Sequence, residues 1–146
     1  MSVPRYWREE QPRYRLIGEE CINCGSRFFP KTPVCTCGST KFKPYKLSDT
    51  GKVISWTIIR TPPIGYEKFV PYVVALVELD DSSRVLSQLV DIELDKLVHG
   101  MRVEFTFRKI KEDGSAGIIQ YGYKFRPMMV QINNDGKIQD SRQKST

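Results

Sequence analysis

Alternating apolar and polar residues form the main pattern of the chain from Gly51 onward. Runs rich in Val, Ile, Phe, Tyr and Thr cover residues 51–60, 69–79, 83–92, 101–110 and 117–125. In the fourth run, Val103, Phe105 and Phe107 alternate with polar neighbours. A period of two places alternate side chains on one face of a strand, so the pattern predicts five β-strands.

The segments between these runs have the composition of turns. Residues 79–83 predict a tight hairpin turn, and residues 111–117 predict a polar loop. Residues 93–100 predict one helical turn that Gly100 ends. Five strands with a helical turn between the third and fourth match the OB-fold, a five-stranded Greek-key barrel. An SH3-like barrel remains the alternative, and either choice makes the chain mainly β.

The two ends of the chain have a different texture. Residues 2–16 mix aromatic and charged side chains, and a short helix is expected after Pro4, with Pro12 ending or restarting it. This arm is too short to have its own core, so its aromatic residues must dock on the rest of the chain or on a partner. The tail from Asn133 is polar and is predicted to be frayed.

All four cysteines lie within one short segment between the arm and the barrel. Cys21 and Cys24 form a C-x-x-C pair, Cys35 and Cys37 form a C-x-C pair, and a glycine follows each pair. Ten residues separate the pairs, which is enough for a small hairpin that brings the second pair back to the first. Four thiolates can surround one Zn²⁺ tetrahedrally, and a site with four protein ligands is structural rather than catalytic.

Two other kinds of thiol chemistry remain open for these cysteines. A redox pair is one, but no βαβ pattern surrounds the C-x-x-C segment. Disulfides are the other, and they are rare in the cytosol. The first fifteen residues lack an apolar signal region and no long apolar stretch occurs, so we expect a cytoplasmic protein without a membrane span. A zinc knuckle is the short turn that carries two of the ligand cysteines, usually as C-x-x-C. The C-x-C pair is one residue shorter, so we expect it to be the weak point of metal binding.

Charge is spread unevenly along the chain. The net charge is +6, with nine basic against five acidic residues in 1–50, five against seven in 51–99, and nine against five in 100–146. A basic balance favours anionic partners such as nucleic acid or phosphorylated cofactors. No dense basic run occurs, so a solvated basic surface explains the same numbers.

The loops of the predicted barrel supply the candidate ligand-binding residues. An OB-fold binds ligands with the loops that join strands one to two and four to five. Aromatic rings there could stack an adenine, and cations could neutralise the phosphates of CoA or RNA. The candidates are Arg60, Tyr66, Lys68, Phe69, Lys109 and Lys111. Alternatively, Tyr66 and Phe69 only cap the barrel.

No catalytic residue is predicted. His99 is the only histidine, and no nucleophile–base pair, P-loop or paired carboxylate accompanies it. The chain is therefore expected not to be an enzyme.

Several segments in order resemble one known family. They are "PRYWREEQPRYRLIGEEC", the cysteine segment "CINCG…CTCGS", "DTGKVISWTII", "PYVVALVELDD", "HGMRVEFTF" and "YKFRPM". The order is similar to that of the archaeal and bacterial zinc-ribbon and OB-fold proteins associated with acyl-CoA, long catalogued as a domain of unknown function. Members usually carry C-P-x-C-G in the second knuckle, where this chain has C-T-C-G.

The resemblance implies a division of the chain and a function. It implies a helical arm (1–16), a rubredoxin-like zinc ribbon (17–47), an OB-fold barrel (48–132) and a flexible tail (133–146). It also implies a non-catalytic scaffold that binds CoA or acyl-CoA and docks on a thiolase or hydroxymethylglutaryl-CoA synthase-like enzyme. The alternative is a nucleic-acid-binding protein. The apolar to acidic segments "VVALVEL" and "QLVDIEL" in strands two and three disfavour it, since a phosphate backbone needs a basic surface.

Overall fold

A computed structural model describes residues 8, 12–112, 117, 119–128, 131–132 and 138–139 of the chain. Within the predicted arm, Arg8 and residues 12–15 are helical, and the other residues before Pro12 lie outside the described ones. Most of the tail predicted to fray lies outside them too. No helix among the described residues is long and apolar enough to span a membrane.

A small antiparallel sheet forms the first structural unit. Its strands are β1 (Ile17–Cys21), β2 (Arg27–Phe28) and β3 (Phe42–Lys46), in the order β2-β1-β3. Glu19 lies opposite Phe28 on one side and Pro44 on the other. Both cysteine pairs therefore lie at the same end of this sheet, because the first pair begins at the last residue of β1 and the second precedes β3.

A closed five-stranded barrel forms the second unit, in the order β4-β5-β6-β8-β7. This closed order confirms the predicted mainly β architecture and is consistent with the OB-fold. The strands are β4 (Thr50–Ile59), β5 (Tyr72–Leu79), β6 (Arg84–Leu89), β7 (Arg102–Glu112) and β8 (Ile119–Pro127). A two-stranded ribbon, β9 (Gln131–Ile132) with β10 (Ile138–Gln139), follows the barrel.

Alternation of the side chains explains why the barrel closes. Along β5 every second residue is buried, from Val73 to Leu79. The buried side chains meet around Phe125, which is fully enclosed. Leu16 and Leu47 join the same core from one end of the small sheet, where Ile17 lies opposite Lys46, and the Leu47 amide donates to the Leu16 carbonyl at 2.9 Å. The two units thus share one apolar core.

The connections agree with the predictions in part. The hairpin turn at 79–83 is confirmed, with Ser82 at a φ of 66°. The helical turn predicted over 93–100 is shorter than expected: a 3-10 helix covers only Leu94–Lys96. Leu97 is extended and, like Leu94, packs on the core, which pulls the chain out of the helix. Gly100 has a φ of 80°, and its amide donates to the barrel at Val53.

The loops on the candidate ligand side also differ from the expectation. A second 3-10 helix, Glu67–Phe69, lies in the connection between β4 and β5. Lys111 and Glu112, expected at the start of the polar loop, belong to β7. Residues 113–116 of that loop lie outside the described ones.

Contacts across the junction fix the small sheet against the barrel. The Arg27 guanidinium donates to the Asp81 carbonyl at 2.8 Å, across 54 positions of sequence. The Asp81 side chain accepts from the Ser48 amide at 2.9 Å and caps its own turn through the Ser83 amide at 3.0 Å. Phe29 and Tyr123 meet edge to face with ring centroids 5.2 Å apart. Polar and aromatic contacts therefore supplement the shared core.

Candidate metal centre and ligand face

Two short turns shape the cysteine pairs. The Gly25 amide donates to the Cys21 carbonyl and the Gly38 amide to the Cys35 carbonyl, each at 2.9 Å. Both glycines have positive φ, 72° and 81°, a conformation that costs little without a Cβ. The C-x-C segment thus closes a turn like that of the longer C-x-x-C segment.

The four sulfur atoms converge on one point. They all lie within 4.8 Å of one another, with Cys24 3.4 Å from Cys35 and Cys21 3.7 Å from Cys37. A tetrahedral ion with metal–sulfur bonds of about 2.3 Å needs sulfur separations of about 3.8 Å. The distances exceed the S–S bond of about 2.05 Å, so the thiols are unpaired. The residues fit a tetrahedral thiolate metal site, and the short C-x-C pair contributes both of its sulfurs.

Local hydrogen bonds polarise the thiols unequally. The Ser26 hydroxyl, 3.2 Å from the Cys24 sulfur, and the Ser26 amide lower the pKa of Cys24 to about 6. The Cys24 amide lowers the pKa of Cys21. The Cys37 amide acts in the same direction on Cys35, but burial and the neighbouring thiols outweigh it and raise the pKa of Cys35 to about 11. The turns therefore already favour the thiolate at two of the four positions.

An aromatic cluster occupies the connection between β4 and β5. Tyr66 contacts Phe69 and Tyr72, with ring centroids 5.8 and 5.9 Å away, and its hydroxyl donates to the Ile110 carbonyl at 3.0 Å. Burial raises the pKa of Tyr66, Tyr72 adds to this, and the charge of Lys111 opposes it. The structure thus brings together the predicted residues Tyr66, Phe69 and Lys111.

The other three predicted ligand residues are exposed cations. Arg60 directly follows β4 and is exposed, as are Lys68 in the 3-10 helix and Lys109 on β7. Lys109 forms an ion pair with Glu112. Tyr66 is anchored and half-buried, whereas Phe69 keeps 52% of its surface exposed. Tyr66 therefore supports the loop, and Phe69 with the cations provides the accessible surface.

Three structural contributors were missed in the sequence. Ser26 polarises Cys24, Tyr72 completes the aromatic cluster, and Ile110 accepts from Tyr66 through its backbone. The position of Ser26 directly after C-x-x-C-G was a usable signal. Nothing in the sequence pointed to a backbone contact with a residue 44 positions away.

Both units match family models. Residues 8–43 match the model described as "ChsH2, rubredoxin-like zinc ribbon domain", and residues 45–108 match "ChsH2, C-terminal OB-fold domain". A "DUF35 domain-containing scaffold protein" from Pyrococcus furiosus is 49% identical over 130 residues, which cover 88% of this chain and 95% of that protein. The chain belongs to the DUF35 family. This confirms the resemblance seen in the sequence, and the four clustered cysteines lie within the part of the chain that matches the zinc-ribbon model.

More distant relatives of the chain carry other names. The "Benzoylsuccinyl-CoA thiolase subunit BbsA" from Geobacter metallireducens is 36% identical over 111 residues, 75% of this chain and 73% of that protein. Among solved structures, a chain of the "Ltp2-ChsH2(DUF35) aldolase" superposes with a TM-score of 0.65 at 30% identity. The match covers 87% of this chain and 96% of that chain, so the fold is shared over both units.

Proposed function

We propose that the chain is a non-catalytic scaffold that docks on an acyl-CoA enzyme, of the thiolase or hydroxymethylglutaryl-CoA synthase-like class, in the cytoplasm. The observation that carries the proposal is the match to a relative named a scaffold protein along 95% of that relative. The thiolase-subunit relative supports the choice of partner. Mixing the purified chain with such an enzyme should give a joint sedimentation boundary, and two independent boundaries would contradict docking.

One Zn²⁺ is the proposed occupant of the cysteine cluster, held by Cys21, Cys24, Cys35 and Cys37. Four thiolates leave no open position for water, so the ion would tie the two turns together and perform no reaction. Binding would thus contribute folding free energy to residues 17–47, which we treat as the ribbon unit, with residues 48–132 as the barrel unit. Elemental analysis should find about one zinc per chain. Metal-free protein with the ribbon fully folded would contradict this role.

CoA or acyl-CoA is the proposed ligand of the surface around Phe69. Its exposed ring could stack on the adenine. Three predicted cations could meet the phosphates: Lys68 precedes Phe69 in the 3-10 helix, the charge of Lys111 acts on Tyr66, and Arg60 begins the same connection. Calorimetry with CoA, in the presence of the partner enzyme, tests this directly. Lys68→Ala should weaken binding, by about tenfold for one lost phosphate contact.

Lys96→Ala is the matched control for this measurement. Lys96 is equally exposed but pairs with Glu93 at 2.9 Å beside the other 3-10 helix. Its loss should leave the affinity for CoA unchanged. If both substitutions weaken binding equally, the effect comes from the overall charge of the chain and not from Lys68. If the wild-type chain gives no heat of binding, the proposal that it binds CoA is wrong, and the scaffold role is unaffected. Binding of RNA instead would favour the nucleic-acid alternative.

A further inference from the structure

Two sulfur–sulfur contacts in the cluster join one knuckle to the other. Cys24 is exposed and lies 3.4 Å from the buried Cys35, and Cys37 is exposed and lies 3.7 Å from the buried Cys21. Each pair therefore combines an exposed cysteine with a buried one. Closing either pair to a disulfide requires a movement of less than about 2 Å.

We propose that this cluster is an oxidation site at which peroxide joins the two knuckles through Cys24–Cys35 and Cys21–Cys37 disulfides. The exposed sulfur of each pair is the point of attack, and the buried sulfur resolves the intermediate. The inference concerns the chain's own thiols and goes beyond the scaffold role.

The reaction balances with hydrogen peroxide as the only oxidant. The Cys24 thiolate attacks one peroxide oxygen, an S–O bond forms, the O–O bond breaks and hydroxide leaves. The Cys35 thiolate then attacks the Cys24 sulfur, the S–S bond forms and the S–O bond breaks, releasing a second hydroxide. Two thiolates lose two electrons and peroxide gains them. A second peroxide acts on Cys37 and Cys21 in the same way, and a metal held by the four thiolates loses its ligands.

Whether the disulfides form within or between the knuckles decides whether the ribbon stays folded after oxidation. Disulfides within each knuckle would leave the two turns unconnected once the metal is lost. Disulfides between the knuckles tie the end of β1 to the segment before β3, as the metal would. Oxidation should therefore release the metal while the ribbon keeps its shape.

Peptide mapping reads the pairing directly, because trypsin cuts between the knuckles and not within them. Cleavage after Arg15, Arg27, Lys31 and Lys41 separates peptide 16–27, with Cys21 and Cys24, from peptide 32–41, with Cys35 and Cys37. The zinc content of the protein is measured first, and the protein is then treated with peroxide. The two peptides should elute as one species whose mass is about 4 Da below the summed masses of the reduced peptides. Fragmentation should assign the two proposed bonds, and circular dichroism should retain the strand signal.

Separate peptides, each with an internal disulfide, would overturn the proposal, and so would the opposite pairing of Cys24 with Cys37. Trapping of the intermediate tests the role of the exposed cysteines. During limited peroxide treatment of the zinc-loaded protein, dimedone should label the sulfenic acid on Cys24 and Cys37 at least about tenfold more than on Cys21 and Cys35. Equal labelling of the four cysteines would contradict entry at the exposed ones. The zinc content is measured before peroxide is added, so failure of the predicted pairing is distinct from failure of the zinc assignment.

Discussion

Arg27 should act as a clamp between the ribbon and the barrel. Besides its 2.8 Å hydrogen bond to the Asp81 carbonyl, its guanidinium lies 4.2 Å from the centre of the Tyr45 ring and 3.6 Å from Glu20. Its Nε is buried and has no hydrogen-bond partner within the described part of the chain. Arg27→Ala removes the three contacts and also the unsatisfied donor.

The expected change in unfolding free energy for Arg27→Ala is the sum of these opposing contributions. A hydrogen bond to a charged donor contributes about 1.5–3 kcal/mol, the cation–π contact about 0.5–1 kcal/mol and the ion pair less than about 1 kcal/mol. Removing the buried, unpartnered Nε offsets about 1 kcal/mol or more. The net loss of unfolding free energy should be about 1–3 kcal/mol, or about 4–10 °C in Tm for a domain of this size.

Thermal and urea unfolding of the metal-loaded protein measure this loss. Arg84→Ala is the matched control, since Arg84 is exposed and, among the residues that the structure describes, pairs only with Glu78, at 3.4 Å, on the same hairpin. Its loss should cost less than about 0.5 kcal/mol. If Arg27→Ala is no more destabilising than Arg84→Ala, the clamp does not exist. Amide chemical shifts in both units should move in the Arg27 variant, because its contacts join them.

Three further changes test the barrel and its ligand side. Gly51→Ala should cost about 2–4 kcal/mol in urea unfolding, since a Cβ there would lie 2.4 Å from the Glu78 carbonyl oxygen, whereas exposed Ser55→Ala on the same strand should cost little. Tyr66→Phe should lose about 1 kcal/mol, because the Ile110 carbonyl loses its donor; an unchanged stability would contradict that bond. Burial raises the pKa of Tyr123 above its ordinary value of 10.0. The contribution of Tyr123 to the free energy of unfolding is therefore fully present below about pH 10 and is lost as pH rises through the higher pKa. Because burial also raises the pKa of Tyr66, absorbance titration should show more than one late tyrosine, and Tyr123→Phe should remove one of them. An unaltered titration in that variant would refute the prediction.

The barrel could be predicted from the sequence because its strands carry their own pattern. Alternation along residues such as Val73 and Val77 already separates the inner face from the outer one. The helical turn was overestimated for a related reason. Leu94 and Leu97 fit a helical spacing, but both are held by the core, and the chain extends after Lys96 to reach it.

The sequence predicted which four cysteines form the cluster, but not which of them lie next to each other. Spacing alone indicated that four thiols share one site, and the short C-x-C segment pointed to a weak joint. The backbone turn at Gly38 instead brings both of its sulfurs to the cluster. Which thiols are exposed, and which lie closest across the knuckles, depends on folding of the whole ribbon.

The junction and the ligand side could not be derived from sequence. Arg27 and Asp81 lie 54 positions apart, and the acceptor is a backbone carbonyl, which every residue has. Tyr66 likewise joins Ile110 through the main chain. Such contacts depend on the packing of the two units, so the sequence could name the loop but not the residue that anchors it.

Affinity purification of the tagged chain from its native cells tests the scaffold role most directly. We expect an acyl-CoA enzyme of the thiolase or hydroxymethylglutaryl-CoA synthase-like class to co-purify in a stoichiometric amount. Recovery of ribosomal or polymerase components in place of such an enzyme would contradict the account.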